Sequence, residues 1–256
     1  MCGRFAVTTD PKLLAEKIQA IDEATSAQKA REDGAGPNYN VAPTTTISTV
    51  VSRHSEPDDE PTRRVRSMRW GLVPAWAKAG PDGKGPLLIN ARADKVTTSP
   101  AFRSSAKSKR CLIPMDGWYE WRPNGETASG KKAPKTPFYM YGADGELLFM
   151  AGLWTTWRPK DAPKDVAPLL SCTIITTDAA GPLAEIHDRM PLTISQRDWD
   201  RWLDPDAPID EGLLRGHGDL DRIKIREVSR LVNNVRNNGP ELIEPVEPQE
   251  RQATLL

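Results

Sequence analysis

The 256-residue chain has little cysteine and little histidine, three of each. Cys2, Cys111 and Cys172 are too few and too scattered for a disulfide framework. A reducing, cytoplasmic setting is therefore expected. No histidine and cysteine share zinc-ligand spacing, so His54, His187 and His217 suggest no metal site, and no cofactor is expected. Long apolar runs are missing too. The longest, at residues 147–150 and 172–175, fall far short of the ~20 residues that span a bilayer. The N-terminus lacks the charged start and apolar stretch of a signal peptide. Repeats are absent. Net charge is zero, with 35 basic and 35 acidic residues.

Proline and tryptophan are abundant. The 23 prolines disfavour a helical bundle. The pattern predicts strands near residues 2–8, 46–52, 63–70, 111–113, 117–121, 138–141, 147–154, 169–176 and 223–228. Asp10-Pro11 starts a helix carrying Leu13, Leu14, Ile18 and Ile21 on one face. Ser195 caps a short helix through Trp202, and Leu213 lies in another. Residues 26–36 and the proline- and glycine-rich stretch 80–86 read as loops. The sum is an α+β fold, a mixed or antiparallel barrel-like β core with flanking short helices. One domain is expected over residues 1–236, with a polar, frayed tail at 237–256.

Zero net charge hides an asymmetry. Residues 63–110 hold twelve Lys/Arg against two acids, Asp82 and Asp94. A basic block containing Trp70 and Trp76 suits a polyanion surface with stacking platforms. The plainer reading is a solvated basic loop face.

Four segments carry chemistry. Removal of Met1 would leave Cys2 at the N-terminus, with an amine and a thiol on one residue. Such a pair traps aldehydes: the amine forms an imine and the thiol closes a thiazolidine ring. It equally suits an N-terminal-nucleophile hydrolase, and a small apolar residue starting a strand is the plain alternative. Glu120 lies among aromatics in Gly117-Trp118-Tyr119-Glu120-Trp121. Partial desolvation there raises a carboxyl toward neutrality, as acid/base work requires; alternatively, Glu120 faces water across a strand. His187, in Ile186-His187-Asp188-Arg189-Met190-Pro191, occupies a loop with Arg189 two residues on. Asn90-Ala91-Arg92 offers an amide and a guanidinium fork suited to phosphate.

Together with Met1-Cys2-Gly3-Arg4-Phe5, Asn40-Val41-Ala42-Pro43-Thr44, the run from Arg69 to Trp76, Cys111-Leu112-Ile113-Pro114 and Ala151-Gly152-Leu153-Trp154, these segments resemble the SOS response-associated peptidase family in order, from residue 1 to about 203. The resemblance implies an α+β domain with a barrel-like core and a groove for single-stranded DNA. It implies that mature Cys2 attacks the aldehyde of an abasic site to give a thiazolidine DNA–protein crosslink. Asn90 would orient Cys2 and the sugar, Glu120 would shuttle protons, and His187 would assist sugar-ring opening. Arg4, Arg92 and Arg189 would hold phosphates, Trp70 and Pro43 would pack on bases, and Thr176 would neighbour the sugar. The expected partner is single-stranded DNA with abasic sites, bound by a monomer, without membrane or metal.

Two other classes stay open. A thiol peptidase, self-processing included, or a lyase would use the same residues. A non-catalytic single-strand binder would not need Cys2. The basic block favours DNA, because a protease has no use for it.

Overall fold

The computed structural model describes residues 2–25, 36–78, 80, 87–125, 133–163, 165–218 and 220–246. The loop read at 26–36, apart from Gly36, and most of that at 80–86 lie outside the described residues, as do Met1 and residues 247–256.

In chain order, β1 (Phe5–Val7) leads to helix α1 (Pro11–Lys17). Asp10 caps that helix by accepting from the N–H groups of Lys12 and Leu13, as its sequence position predicts. Short strands β2 (Ile21–Asp22) and β3 (Asn38–Val41) precede the antiparallel pair β4 (Thr46–Arg53) and β5 (Thr62–Trp70). Strand β6 is Asn90–Arg92. Helix α2 (Arg103–Ser108) is followed by β7 (Arg110–Met115), β8 (Gly117–Arg122), β9 (Thr136–Gly142), β10 (Leu148–Trp157) and β11 (Leu169–Asp178). Last come β12 (Arg189–Pro191), helices α3 (Trp199–Leu203) and α4 (Glu211–Arg215), and β13 (Ile223–Glu227).

The architecture is α+β with a sheet-rich core, as the sequence predicts. One sheet runs β13-β9-β8-β1-β3, and the other runs β12-β11-β10-β7-β4-β5-β2. A parallel β11–β5 contact, with Cys172 opposite Trp70, closes the second sheet into a five-stranded ring of β11, β10, β7, β4 and β5. Closure removes the exposed edges an open sheet would offer.

Three apolar clusters hold this frame. Phe5, Trp118 and Met140 of the first sheet meet Trp70, Ile113, Met150 and Ile174 of the second. On the second sheet's other face, Leu14, Phe102, Trp199 and Trp202 cover Val65, Leu112 and Ile175. A third cluster joins Tyr119 and Tyr139 to Val228, Val232 and Leu242.

That third cluster corrects the expected tail. Residues 237–246 are docked: Leu242 is buried, Val228 bridges Pro245, and Asn238 Oδ1 accepts from Tyr39 N at 2.7 Å. Asn40 explains why. Its Nδ2 donates to the carbonyls of Asn234 and Asn237 at 3.0 and 2.9 Å. A polar segment is thus pinned by hydrogen bonds that hydropathy does not reveal.

The basic block also proves dispersed. Arg63 pairs with Asp200, and Arg64 and Arg66 pair with Glu23. Arg110 is buried and donates to the carbonyls of Ala106, Lys107, Trp202, Asp204 and Ala207. It ties α2 to the segment after α3 and faces no groove.

Candidate active site

Strand β1 carries the N-terminus along β8. The pairs Phe5↔Trp118 and Ala6↔Gly117 continue through Tyr119 N donating to Arg4 O at 3.0 Å. Glu120 therefore comes level with Gly3, beside Cys2. Alternation turns Trp118 and Glu120 to one face and Tyr119 to the other. That face is the one between the sheets, so Glu120 is only 4% exposed. The wet-face alternative for Glu120 is excluded.

Burial pushes Glu120 up to about 7, and the chain's α-amino group is the leading charge opposing that shift. The Cys2 thiol is fully buried, and burial raises its pKa strongly; the negative charge of Glu120 adds to the rise, while the α-amino group opposes it. His187 is pushed down, first by burial and then by the same α-amino group, against the pull of Asp188. The Cys2 thiol and Glu120 thus act on each other directly, and both of them and His187 feel the N-terminal charge, which sits on Met1 until that residue is removed.

Asn90 comes from the other sheet. Strand β6 runs parallel to β11 in the register Ile174↔Asn90, Ile175↔Ala91 and Thr176↔Arg92. This sends Asn90 Nδ2 to the carbonyl of Cys2 at 2.8 Å. Its Oδ1 is buried and has no hydrogen-bond partner among the described residues. An acceptor is left beside Cys2 for an N–H or O–H.

His187 holds two contacts at one nitrogen. Arg189 N–H donates to Nδ1 at 3.0 Å, and Asp188 Oδ1 is 2.7 Å from the same atom. The first requires a bare Nδ1 and the second a protonated one. The lowered pKa favours the neutral ring, and the Arg189 N–H bond to Nδ1 puts that ring's proton on Nε2.

The arginines divide. Arg92 is 58% exposed and forks onto Asp94 at 3.0 and 3.2 Å. Arg189 is 11% exposed; it pairs with Asp178 and donates to Thr176 O at 2.6 Å. Arg92, Asp178 and Arg189 line a cavity of about 580 Å³ at the end of β11. Arg4 spends Nη1 on Asn40 Oδ1 and Val232 O, at 2.7 and 3.0 Å. That nitrogen is a strut for the C-terminal segment.

Two expected contacts need correction. Trp70 is 0% exposed: it packs on Phe5 at 5.1 Å and donates from Nε1 to Ile89 O at 3.0 Å. It has no free face for a base. Trp76, six residues on, is 67% exposed. Between them Gly71, at φ +118°, turns the chain out of β5 in a conformation that side chains resist. The alternation of β5 ends at Trp70, and that was the signal separating the two tryptophans. Thr176 is fully buried and reaches Arg189 rather than open space. Pro43 is part-exposed, beside the turn in which Thr44 N donates to Trp70 O at 2.8 Å.

A family model described as SOS response associated peptidase (SRAP) matches residues 1–235. The chain belongs to this family. Similar proteins include "Abasic site processing protein YoqW" of Bacillus subtilis, 37% identical over 95% of this chain and 99% of that protein. "Abasic site processing protein HMCES" of Gallus gallus is 32% identical over 99% of this chain and 81% of that protein. A crystal structure of a Bacteroides thetaiotaomicron protein shares the fold, with a TM-score of 0.78 at 24% identity over 96% of this chain and all of that one. The candidate residues described above sit on β8 and β6, beside the N-terminus and in the turn before β12, so both sheets contribute. Among the described residues no group of three or more His, Cys, Asp or Glu could hold a metal, and no helix is long and apolar enough to cross a membrane.

Proposed function

We propose that this SRAP protein processes abasic sites in DNA, and that it does so by covalent capture through Cys2. The carrying observation is the linked set at the N-terminus: Asn90 on the Cys2 carbonyl, and Glu120 with a pKa of about 7 beside the Cys2 thiol. The names of the relatives at 32–37% identity support the choice of lesion.

The chemistry follows from those residues. Met1 is removed, which frees the Cys2 amine. The amine attacks the C1′ aldehyde of the ring-opened sugar and forms a carbinolamine. Glu120, half protonated near neutrality, gives its proton to the departing hydroxyl, and water leaves as the imine forms. The carboxylate then takes the proton of the thiol. Burial keeps that thiol protonated at rest, so it needs such a base. The imine forms protonated on nitrogen, so sulfur adds to its carbon, the nitrogen keeps its one hydrogen, and a thiazolidine closes with Glu120 reprotonated by the thiol's proton. One water is lost overall. The bare Oδ1 of Asn90 accepts from the amine or a sugar hydroxyl, and neutral His187 offers Nε2–H to the opening sugar ring. Arg92 and Arg189 hold flanking phosphates in place of their acid partners. Exposed Trp76 replaces Trp70 as the stacking surface, and its aromatic face suits an unpaired strand. The protein acts as a monomer, in the cytoplasm.

The test mixes purified protein with a single-stranded oligonucleotide bearing one abasic site. A denaturing gel and intact mass spectrometry should show the Met1-less chain joined to DNA, less one water, without borohydride trapping. A Met1-less protein that leaves the lesion free would sink the covalent reading.

A further inference from the structure

Arginines gather at a second place, which the Cys2 chemistry does not use. A cavity of about 250 Å³ is lined by Glu23, Arg53, His54, Ser55, Arg64 and Arg66. Strand alternation puts Arg64 and Arg66 on one face of β5. Both lean on the single carboxylate of Glu23, Arg66 through Nε at 2.9 Å. Arg64 Nη2 also reaches Ser55 Oγ at 2.6 Å, while its Nε is buried with no hydrogen-bond partner. Arg53 lies over the Trp154 ring at 5.3 Å, and Lys109 lies over the same ring at 5.6 Å.

The walls thus bring three guanidinium groups against one carboxylate, with an ammonium close behind. The acids of the hairpin tip, Glu56, Asp58, Asp59 and Glu60, are exposed, and none lines the cavity. Lys109 records the crowding: its pKa is lowered by burial and then by the charge of Arg53. Arginine forks with spare positive charge match a phosphate group, whose oxygens accept two parallel N–H bonds at once.

The place is far from Cys2. Strand β5 runs parallel to β11, with Trp70 opposite Cys172. Asn90, which holds Cys2, pairs with Ile174 two residues onward along β11, whereas Arg66 lies four residues back along β5. The two points are separated by roughly 20 Å of strand rise. A phosphate held here does not flank a lesion held at Cys2.

We propose that the Arg53–Arg64–Arg66 cavity is a phosphate-binding site, with Glu23 as the counter-ion that the phosphate displaces. The phosphate could belong to a free compound or to a nucleic-acid backbone that runs the length of the barrel.

The experiment uses the full chain and lesion-free DNA, so that it reads independently of Cys2 chemistry. Inorganic phosphate and pyrophosphate are titrated by calorimetry at ionic strength matched with sodium chloride. Unmodified single strands follow, one too short to leave the Cys2 end and one long enough to reach both ends. The Arg66→Gln and Arg53→Gln variants should bind the phosphate probe about tenfold more weakly. Glu23→Gln, which keeps every arginine and removes their competitor, should bind it more tightly. Weakening confined to the inorganic probes assigns a free compound; weakening confined to the long strand assigns the backbone. Wild-type affinities retained for both phosphate probes and both strands in the arginine variants would overturn the site. Should an arginine variant fail to fold, Glu23→Gln decides alone, and binding no tighter than wild type overturns the proposal.

Discussion

The two ends of the barrel treat charge in opposite ways. Near Cys2 a carboxylate, Glu120, is buried and its pKa rises to about 7. Two arginines of that end are matched by acids, Arg92 by Asp94 and Arg189 by Asp178. At the far end one carboxylate, Glu23, serves two arginines while a third lies on an indole. Charge deficiency therefore means different things at the two ends. A buried carboxylate with its pKa near 7 can pass a proton at neutral pH. Arginines short of carboxylates keep their charge and seek anions. On the proposed readings, the Cys2 end adds proton transfer to binding and the far end only binds.

The largest effect should come from removing the nucleophile. Cys2→Ala should abolish the covalent adduct while leaving non-covalent affinity for abasic single strands within about twofold, because the side chain adds no phosphate contact. Any adduct formed by this variant would remove Cys2 from the mechanism.

Glu120→Gln comes next and tests the proton-transfer end directly. Adduct formation should slow by about 10²- to 10³-fold, the usual range for a lost general acid/base. The wild-type rate should bend near pH 7, and that bend should vanish in the variant. Stability gives an independent readout. The folded-state pKa lies above the ordinary value of 4.5, so the native state binds the proton more tightly. Stability linked to Glu120 is present below pH 4.5 and lost as pH rises through about 7. Relative to wild type, Glu120→Gln should gain up to about 3 kcal/mol between pH 4.5 and pH 8. Equal melting-temperature differences at both pH values would contradict a buried, neutralised Glu120.

The tryptophans of one motif should behave as opposites. Trp70→Ala empties a core position between the sheets and should cost about 3–5 kcal/mol of stability. Trp76→Ala should leave melting unchanged and weaken single-strand binding by about 1–3 kcal/mol, the range for a lost base–aromatic stack. Weaker DNA binding by a well-folded Trp70 variant, with Trp76→Ala unaffected, would invert the assignment.

Much of this was legible in the sequence. Strand period gave the hairpin of β4 and β5, and Asp10-Pro11 gave the start of α1. The α+β barrel followed from that pattern together with a family resemblance in ordered motifs. What escaped depends on contacts between distant segments. The β11–β5 closure is a parallel pairing about a hundred residues apart, and nothing local encodes it. In the sequence Asn40 stands only as the start of the Asn40–Thr44 segment, yet it is the pin for residues 234 and 237. The run of twelve cations read as one surface, but alternation and burial scatter it. Arg110 turns inward to five carbonyls, while Arg64 and Arg66 turn to Glu23. Charge counts along a chain do not say which way side chains point. For Trp70 the strand pattern held the answer, since it shares a strand face with Met68, buried in the same cluster, and β5 ends there before Gly71.

The arginines supply the smallest and most specific contrast. Arg110 is buried, and Arg110→Met would strand carbonyls of Trp202 and Ala207; it should destabilise the fold by about 3–5 kcal/mol. Arg92 lies in the open, and exposed ion pairs such as that with Asp94 contribute little to stability. Arg92→Ala should therefore leave the melting temperature unchanged. If Arg92 contacts phosphate, the variant should weaken binding equally across DNA sequences and flatten the salt dependence of log K by about one phosphate's share. Asp94→Asn should act the other way, because it frees the guanidinium from its competing acid and strengthens binding at low salt. A salt slope equal to wild type in Arg92→Ala would mean that Arg92 stays with Asp94 when DNA binds. The grip at the Cys2 end would then fall to Arg189, which must give up Asp178 to provide it.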